Sequence, residues 1–456
     1  MPASDLRNLG LSLAQKILTR LSEALATEFP TSVPQTLGNI MHKLVQSVTS
    51  LLKSSNDERI LKYACQYLQE ISSHLRYIEG ASSLRIPASL ITTMETFIKQ
   101  IEPTARVMIR VQSSYNYQIF DIVDLYRRMY THLLGGNLPQ VLGTTDQLHV
   151  VAVPAVEHSN ILLHTILAHE AGHRIAHKYL DTEDKQALVV KINDLMSTDL
   201  KWYDSDFEKL PPLWKLQLRQ SIFDLIHRAR TSALQELISD AVAYYLCGAS
   251  ALFALDEFSS IHFLDAAPEE RYDFYPPWRY RLRRLVSIAY SENILTAVER
   301  ISGNPPLPRI RDSVRERLIL LKSLTDQTPD LTVLEQDGIL KRAYSDVPAI
   351  LDSMEAFILN EIAGLRYTPA KLTDEISVLL QRLSLGIPPD DIERDLPDIR
   401  SVLASGWFYK SARIPIPYND TADWQPKNDD TLTRLVSKAI ESIYLTRDFR
   451  SRNAQG

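Results

Sequence analysis

The chain has 456 residues, enough for two or three domains and at least one large core. Its formal net charge of −6 rests on 50 basic and 56 acidic residues, which excludes the strongly basic domain expected of a nucleic-acid-binding protein. Two distant cysteines, Cys65 and Cys247, exclude a disulfide framework or a Cys-rich zinc module, and the scarcity of glycine (14 residues) favours helix over a Gly-rich β architecture.

Residues 1–105 read as an N-terminal helical region. The opening Met1-Pro2-Ala3-Ser4-Asp5 has no signal-peptide character, so a cytoplasmic location is expected. Leu9, Leu13, Ile17 and Leu21 lie at helical spacing, as do Leu37, Met41, Leu44 and Val48, and again Leu61, Ala64, Leu68 and Ile71. Pro30, Pro34 and Pro87 fall at the breaks.

Residues 106–302 change character. A helix is predicted over 125–134, ended by Gly135-Gly136. Residues 147–156 carry His-Val-Val-Ala-Val-Pro and form the best strand candidate, with Pro154 stopping it or confining it to an edge. Ser159-Asn160 is a cap signal for a long helix over 161–180. A loop is expected over 202–214 and an apolar helix over 221–254. A rigid break is expected at Tyr275-Pro276-Pro277-Trp278, with a helix over 279–290 after it. Gly303-Asn304-Pro305-Pro306 marks a boundary, and 303–456 reads as a C-terminal helical region with an irregular stretch over 414–426. No apolar run is long enough to span a bilayer.

One cluster carries chemistry. His169 and His173 are four residues apart on the predicted helix, a rise of ~6 Å that returns nearly to the same face. Both imidazoles can therefore reach one ion, and Glu170, one position on, suits a general base acting on a metal-activated water. Ala168, Ala171 and Gly172 keep the surroundings small enough for close approach by substrate or another helix.

A catalytic zinc site needs a third protein ligand and an open position. The metzincin position for it holds Tyr179, with Ala176 where that pattern has glycine, so the pattern fails. Glu236 and Asp240, also four apart, share a face of an otherwise apolar helix, where isolated carboxylates are unfavourable unless they meet a cation or a donor. Glu236 is assigned as third ligand and Asp240 as the acceptor of a ligand imidazole's free N–H. The alternative is a salt bridge to a neighbouring arginine.

His-Glu-x-x-His followed by Glu-x-x-x-Asp resembles the gluzincin class of zinc metallopeptidases. The segment 236–246 with Gly248 also resembles bacterial metallopeptidase-type proteins without a well-defined substrate. In those proteins a Pro-Pro pair and an Arg-rich helix follow, often preceded by His; here Tyr275 stands in that place. The resemblance implies a mainly α fold with a small β element, a zincin-like catalytic domain flanked by helical regions. It implies one zinc ion per chain and hydrolysis of a protein or peptide substrate. His173 and Glu236 are 63 positions apart, more than in compact gluzincins, which points to an insertion over 181–220.

Candidates for stabilising the oxyanion or contacting substrate are Tyr244, Tyr245, Tyr275, His177 and Arg281. Tyr244 and Tyr245 are better read as core aromatics, His177 as a supporting or surface residue, and His158 and His164 as structural or exposed. The Arg279–Arg284 cluster is better read as a solvated face than a carboxylate grip. The strand near 149–153 is equally consistent with binding substrate as an added strand or with completing a small sheet. Two further readings of the chain are a catalytically silent metallopeptidase fold that binds or regulates, and a helical scaffold with an accidental motif. The flanking helical regions are candidate surfaces for a partner protein.

Overall fold

The structure is a computed structural model that describes residues 3–83, 86–143, 147–196, 200, 203–260, 264, 274–327, 338–391, 396–417, 424 and 426–453. It is mainly α-helical with one small three-stranded sheet. Two compact units divide the chain, Met1–Asn160 and Ile161–Gly456. Neither of the boundaries expected at 105/106 and 302/303 coincides with that division.

The first unit opens on α1 (Ala3–Leu25), α2 (Val33–Ser54) and α3 (Glu58–Glu79). The predicted apolar positions of α2 and α3 are all buried. On α1, Ile17 and Leu21 are buried, but Leu9 is exposed and the packed stripe runs through Leu6, Gly10 and Ala14 instead. A spacing of four drifts ~40° per step around a helix of 3.6 residues per turn, so Leu9 leaves the face that Ile17 and Leu21 share. Asp57 caps α3 by accepting the Arg59 N–H at 2.8 Å. After α4 (Ala88–Ile101) comes β1 (Arg106–Gln112), then β2 (Gln118–Asp121), α5 (Ile122–Leu134), α6 (Leu138–Leu142) and β3 (Leu148–Pro154).

The sheet order is β1–β3–β2, with β3 parallel to β1 and antiparallel to β2. The predicted strand is therefore present and ends at Pro154, but it is the central strand. All seven of its residues are buried and both of its edges are paired. This corrects the edge-strand reading, in which substrate adds to it, and leaves the alternative that it completes a small sheet. A continuous apolar run is the pattern of a strand covered on both faces. His149, fully buried within it, is hydrogen-bonded to Glu102.

The second unit begins with a 3₁₀ turn, Leu163–Ile166, followed by α7 (Leu167–Thr182), α8 (Lys185–Met196), α9 (Pro212–Cys247), α10 (Ala249–Ser259) and α11 (Trp278–Ser291). The helix expected from 161 starts at Leu167, because the apolar residues before it are wound into the tighter turn. The expected loop before α9 is shorter, since Pro212 starts the helix at a position where its missing N–H has no role. Position 202 of that loop lies outside the described residues. The apolar helix predicted to 254 is interrupted at Gly248, whose φ of +60° suits glycine.

Helices from Ile294–Glu299 to Pro426–Asn453 belong to this same unit. The helix Ile399–Ala412 is buried along most of its length, and Trp407 on it donates its indole N–H to the Leu162 carbonyl at 3.2 Å. Of the irregular stretch over 414–426, positions 418–423 and 425 lie outside the described residues. No described helix is long and apolar enough to cross a membrane.

Candidate metal centre

The two motif helices pack directly on one another. Gly172 shows why. A Cβ built there would lie 2.8 Å from both Cα and O of Ser239, so only glycine lets the α7 backbone approach α9 this closely. That approach sets His169 and His173 of α7 opposite Glu236 and Asp240 of α9.

The carboxylate of Glu236 faces both imidazoles. Its Oε2 is 3.4 Å from His169 Nε2 and its Oε1 is 3.7 Å from His173 Nε2. Two ligand atoms on a tetrahedral zinc ion, each at ~2.0–2.1 Å, are ~3.3–3.4 Å apart. The two spacings, to different oxygens of the carboxylate, are at or a little above that separation. Asp240 Oδ1 lies 2.8 Å from His169 Nδ1, so Nδ1–H donates to the carboxylate and Nε2 is the ring nitrogen turned towards Glu236. The His169 and His173 rings stand nearly perpendicular, 4.8 Å between centroids.

Glu170 completes the cluster. One ligand-type atom from each of His169, Glu170 and His173 lies within 4.8 Å of the others. That trio and the Glu236 geometry offer two choices of third ligand. The two differ in burial: Glu236 is 5% exposed on the wall of the cluster, whereas Glu170 is partly open to solvent.

The protonation pattern follows from the charges. Burial opposes the carboxylate of Glu236, but Arg281 and then His169 outweigh it and hold the group down at about 2. Asp240 is likewise held low against its burial, first by Arg281. Burial also opposes a charge on His169, yet Asp240, followed by Glu236, raises that imidazole to about 10. His173 moves the other way, down to about 4, through burial and the neighbouring His169. These opposite shifts favour the positive charge on His169 and the neutral form of His173.

Arg281 of α11 was expected as a candidate substrate contact. It is 2% exposed, and its guanidinium is occupied within the protein. Nη1 lies 2.8 Å from Glu236 Oε2, while Nε and Nη2 each reach a different oxygen of Asp240 at 2.8 Å. Trp278 covers it, with the ring centroid 4.3 Å from the guanidinium carbon. The salt bridge to a neighbouring arginine, the alternative expected for the Glu236/Asp240 pair, is therefore present. Of the neighbouring arginines, Arg284 pairs with Asp352 at the surface and Arg279 donates to the Leu324 carbonyl.

The remaining candidates are dispersed. Tyr244 is buried, which raises its phenol. Tyr245 is also buried, and its hydroxyl donates to Glu355 at 2.9 Å. Tyr275 is 45% exposed and lies close enough to Arg281 to act on its charge. His177, one turn beyond His173, is exposed, with Nδ1 3.2 Å from Gln235 Nε2. His164 is buried in the 3₁₀ turn, and His158 is hydrogen-bonded to the Ala155 carbonyl.

Sequence reasoning missed the internal role of Arg281. Trp278, Arg281 and Leu285 are spaced i, i+3, i+7 along α11, so Arg281 alone of the four arginines at 279, 281, 283 and 284 falls on the stripe that carries Trp278 and the buried Leu285. No protein-family model, curated protein or solved structure matches the chain.

Proposed function

We propose that the chain is a zinc-dependent metallopeptidase of gluzincin type that hydrolyses peptide bonds, with His169, His173 and Glu236 as zinc ligands and Glu170 as general base. The observation that carries this reading is the Glu236 carboxylate, whose two oxygens lie 3.4 and 3.7 Å from the Nε2 atoms of the two histidines. Asp240 supports it by fixing the His169 ring through Nδ1, which leaves Nε2 for the metal.

When bound, zinc supplies Lewis acidity, polarising the scissile carbonyl and making water acidic enough to attack near neutral pH. The carboxylate of Glu170 accepts the proton of the attacking water and passes it to the departing amine. Asp240 orients His169 by accepting its Nδ1–H. Tyr275 is the half-exposed candidate for a donor to the developing oxyanion.

Replacing Glu170 by Gln tests the reading, since the variant keeps the zinc ligands and removes the base. Cells expressing wild type are expected to contain new protein ends that cells expressing Glu170→Gln lack. Identical sets of ends from the two would contradict peptidase action. One observation favours a second reading, a metal-free ion cluster: Arg281 already bonds to both Glu236 and Asp240. Metal analysis of the purified chain separates the two, because the second predicts no stoichiometric zinc.

A further inference from the structure

Glu236 and Asp240 lie one turn apart on α9 and are 5% and 1% exposed. Two carboxylates so buried destabilise a fold unless a cation stands against them. Arg281 meets that need with three contacts of 2.8 Å, one to Glu236 and two to Asp240. Its guanidinium cannot give up its proton in a protein, so the compensation does not depend on pH or on a metal supply. The face of Trp278 closes over it and excludes water.

We infer that Arg281 is a built-in counter-ion that keeps the metal centre assembled without metal, so that zinc enters a folded site and competes with Arg281 for Glu236. The inference rests on the zinc reading above. It sets this centre apart from sites where metal binding is itself the folding step. It also makes Arg281 a positioning residue with an opposing effect on affinity. The guanidinium shares Glu236 with the ion, and two positive groups on one buried carboxylate repel each other.

The test uses the full chain stripped of metal by a chelator. The stripped wild type is expected to keep its helical circular dichroism and a cooperative melt, and to take up one equivalent of zinc from zinc chloride with little change in either. In Arg281→Met the metal-free protein is expected to melt lower by on the order of 10 °C. Its zinc affinity, read by competition with a chromogenic chelator, is expected to rise at least about tenfold. A merely structural arginine would not raise zinc affinity when removed. Arg281→Lys keeps the charge but not the fork and is expected to lie between the two, which decides the matter if the methionine variant does not fold. The inference is overturned if the stripped wild type loses its helical signal and regains it with zinc. It is equally overturned if neither variant binds zinc more tightly than wild type. Failure of the wild type to bind zinc at all would remove the metal reading and this inference together.

Discussion

His169 Nδ1 lies 2.8 Å from Asp240 Oδ1, and this single bond joins the first motif helix to the second while deciding which ring nitrogen faces Glu236. If the bond fixes the ring for metal, Asp240→Asn weakens zinc binding about 10- to 100-fold while Glu236 and both histidines remain. Competition with a chelating dye measures this, and an unchanged affinity would mean that Asp240 serves only Arg281.

Gly172 tests the packing that builds the site. Alanine there gains up to ~1 kcal/mol of helix propensity. Its Cβ would also stand 2.8 Å from the Ser239 backbone, which cannot move aside as a side chain end can. Overpacking of this kind destabilises by ~1–3 kcal/mol, so Gly172→Ala is expected to lower the melting temperature and to weaken zinc binding together. A more stable Gly172→Ala protein would show that α7 and α9 are further apart than described.

Buried Arg230 holds Glu183 at 2.6 Å and Asp346 at 3.1 Å, tying the end of α7 to α9 and to the residue before the helix Val347–Ser353. Removing one member of a buried ionic network costs ~3–5 kcal/mol, so Arg230→Met is expected to destabilise by that order. Arg284 pairs with the largely exposed Asp352, and Arg284→Met is expected to change stability by under ~1 kcal/mol. Urea denaturation of the two variants compares them directly; equal effects would contradict the distinction.

Stability of the first unit should also respond to acid. Burial, with a smaller effect of Arg76, pulls His74 down to about 4, below its ordinary value of 6.5. Its Nδ1 has no hydrogen-bond partner, and it packs against the rings of Tyr77 and Tyr126. Between pH 6.5 and 4 the unfolded chain therefore binds a proton at this position that the native state refuses. Stability falls as the pH drops through that window, by up to ~3 kcal/mol from this residue, and the loss is complete below about pH 4. Urea denaturation across that range is expected to show a shallower pH dependence for His74→Phe than for wild type. Identical slopes would rule His74 out as the cause.

The parts of this arrangement legible in the sequence are those set by local pattern. The His169/His173 and Glu236/Asp240 pairs were readable because a spacing of four on a helix places groups on one face, and because charge in an apolar helix demands a partner. The helices α2 and α3 followed from their apolar period. What stayed hidden depends on distant parts of the chain. The strand β2 is short, and the pairing of β1 and β2 with β3 joins residues 28 to 42 positions apart. The start of α7 was masked because the apolar residues 161–166 suit a helix or a tight turn equally. Arg281 sits in an arginine-rich segment that resembles a solvated face, and only the packing of α11 against α9 turns it inward.

The most direct test of the central claim is the metal content of the purified chain, measured by mass spectrometry on wild type and on Glu236→Gln. The account predicts one zinc per wild-type chain and a clear loss of retained zinc in the variant. Wild type without zinc after growth and purification in its presence would contradict it, as would Glu236→Gln holding zinc as tightly as wild type.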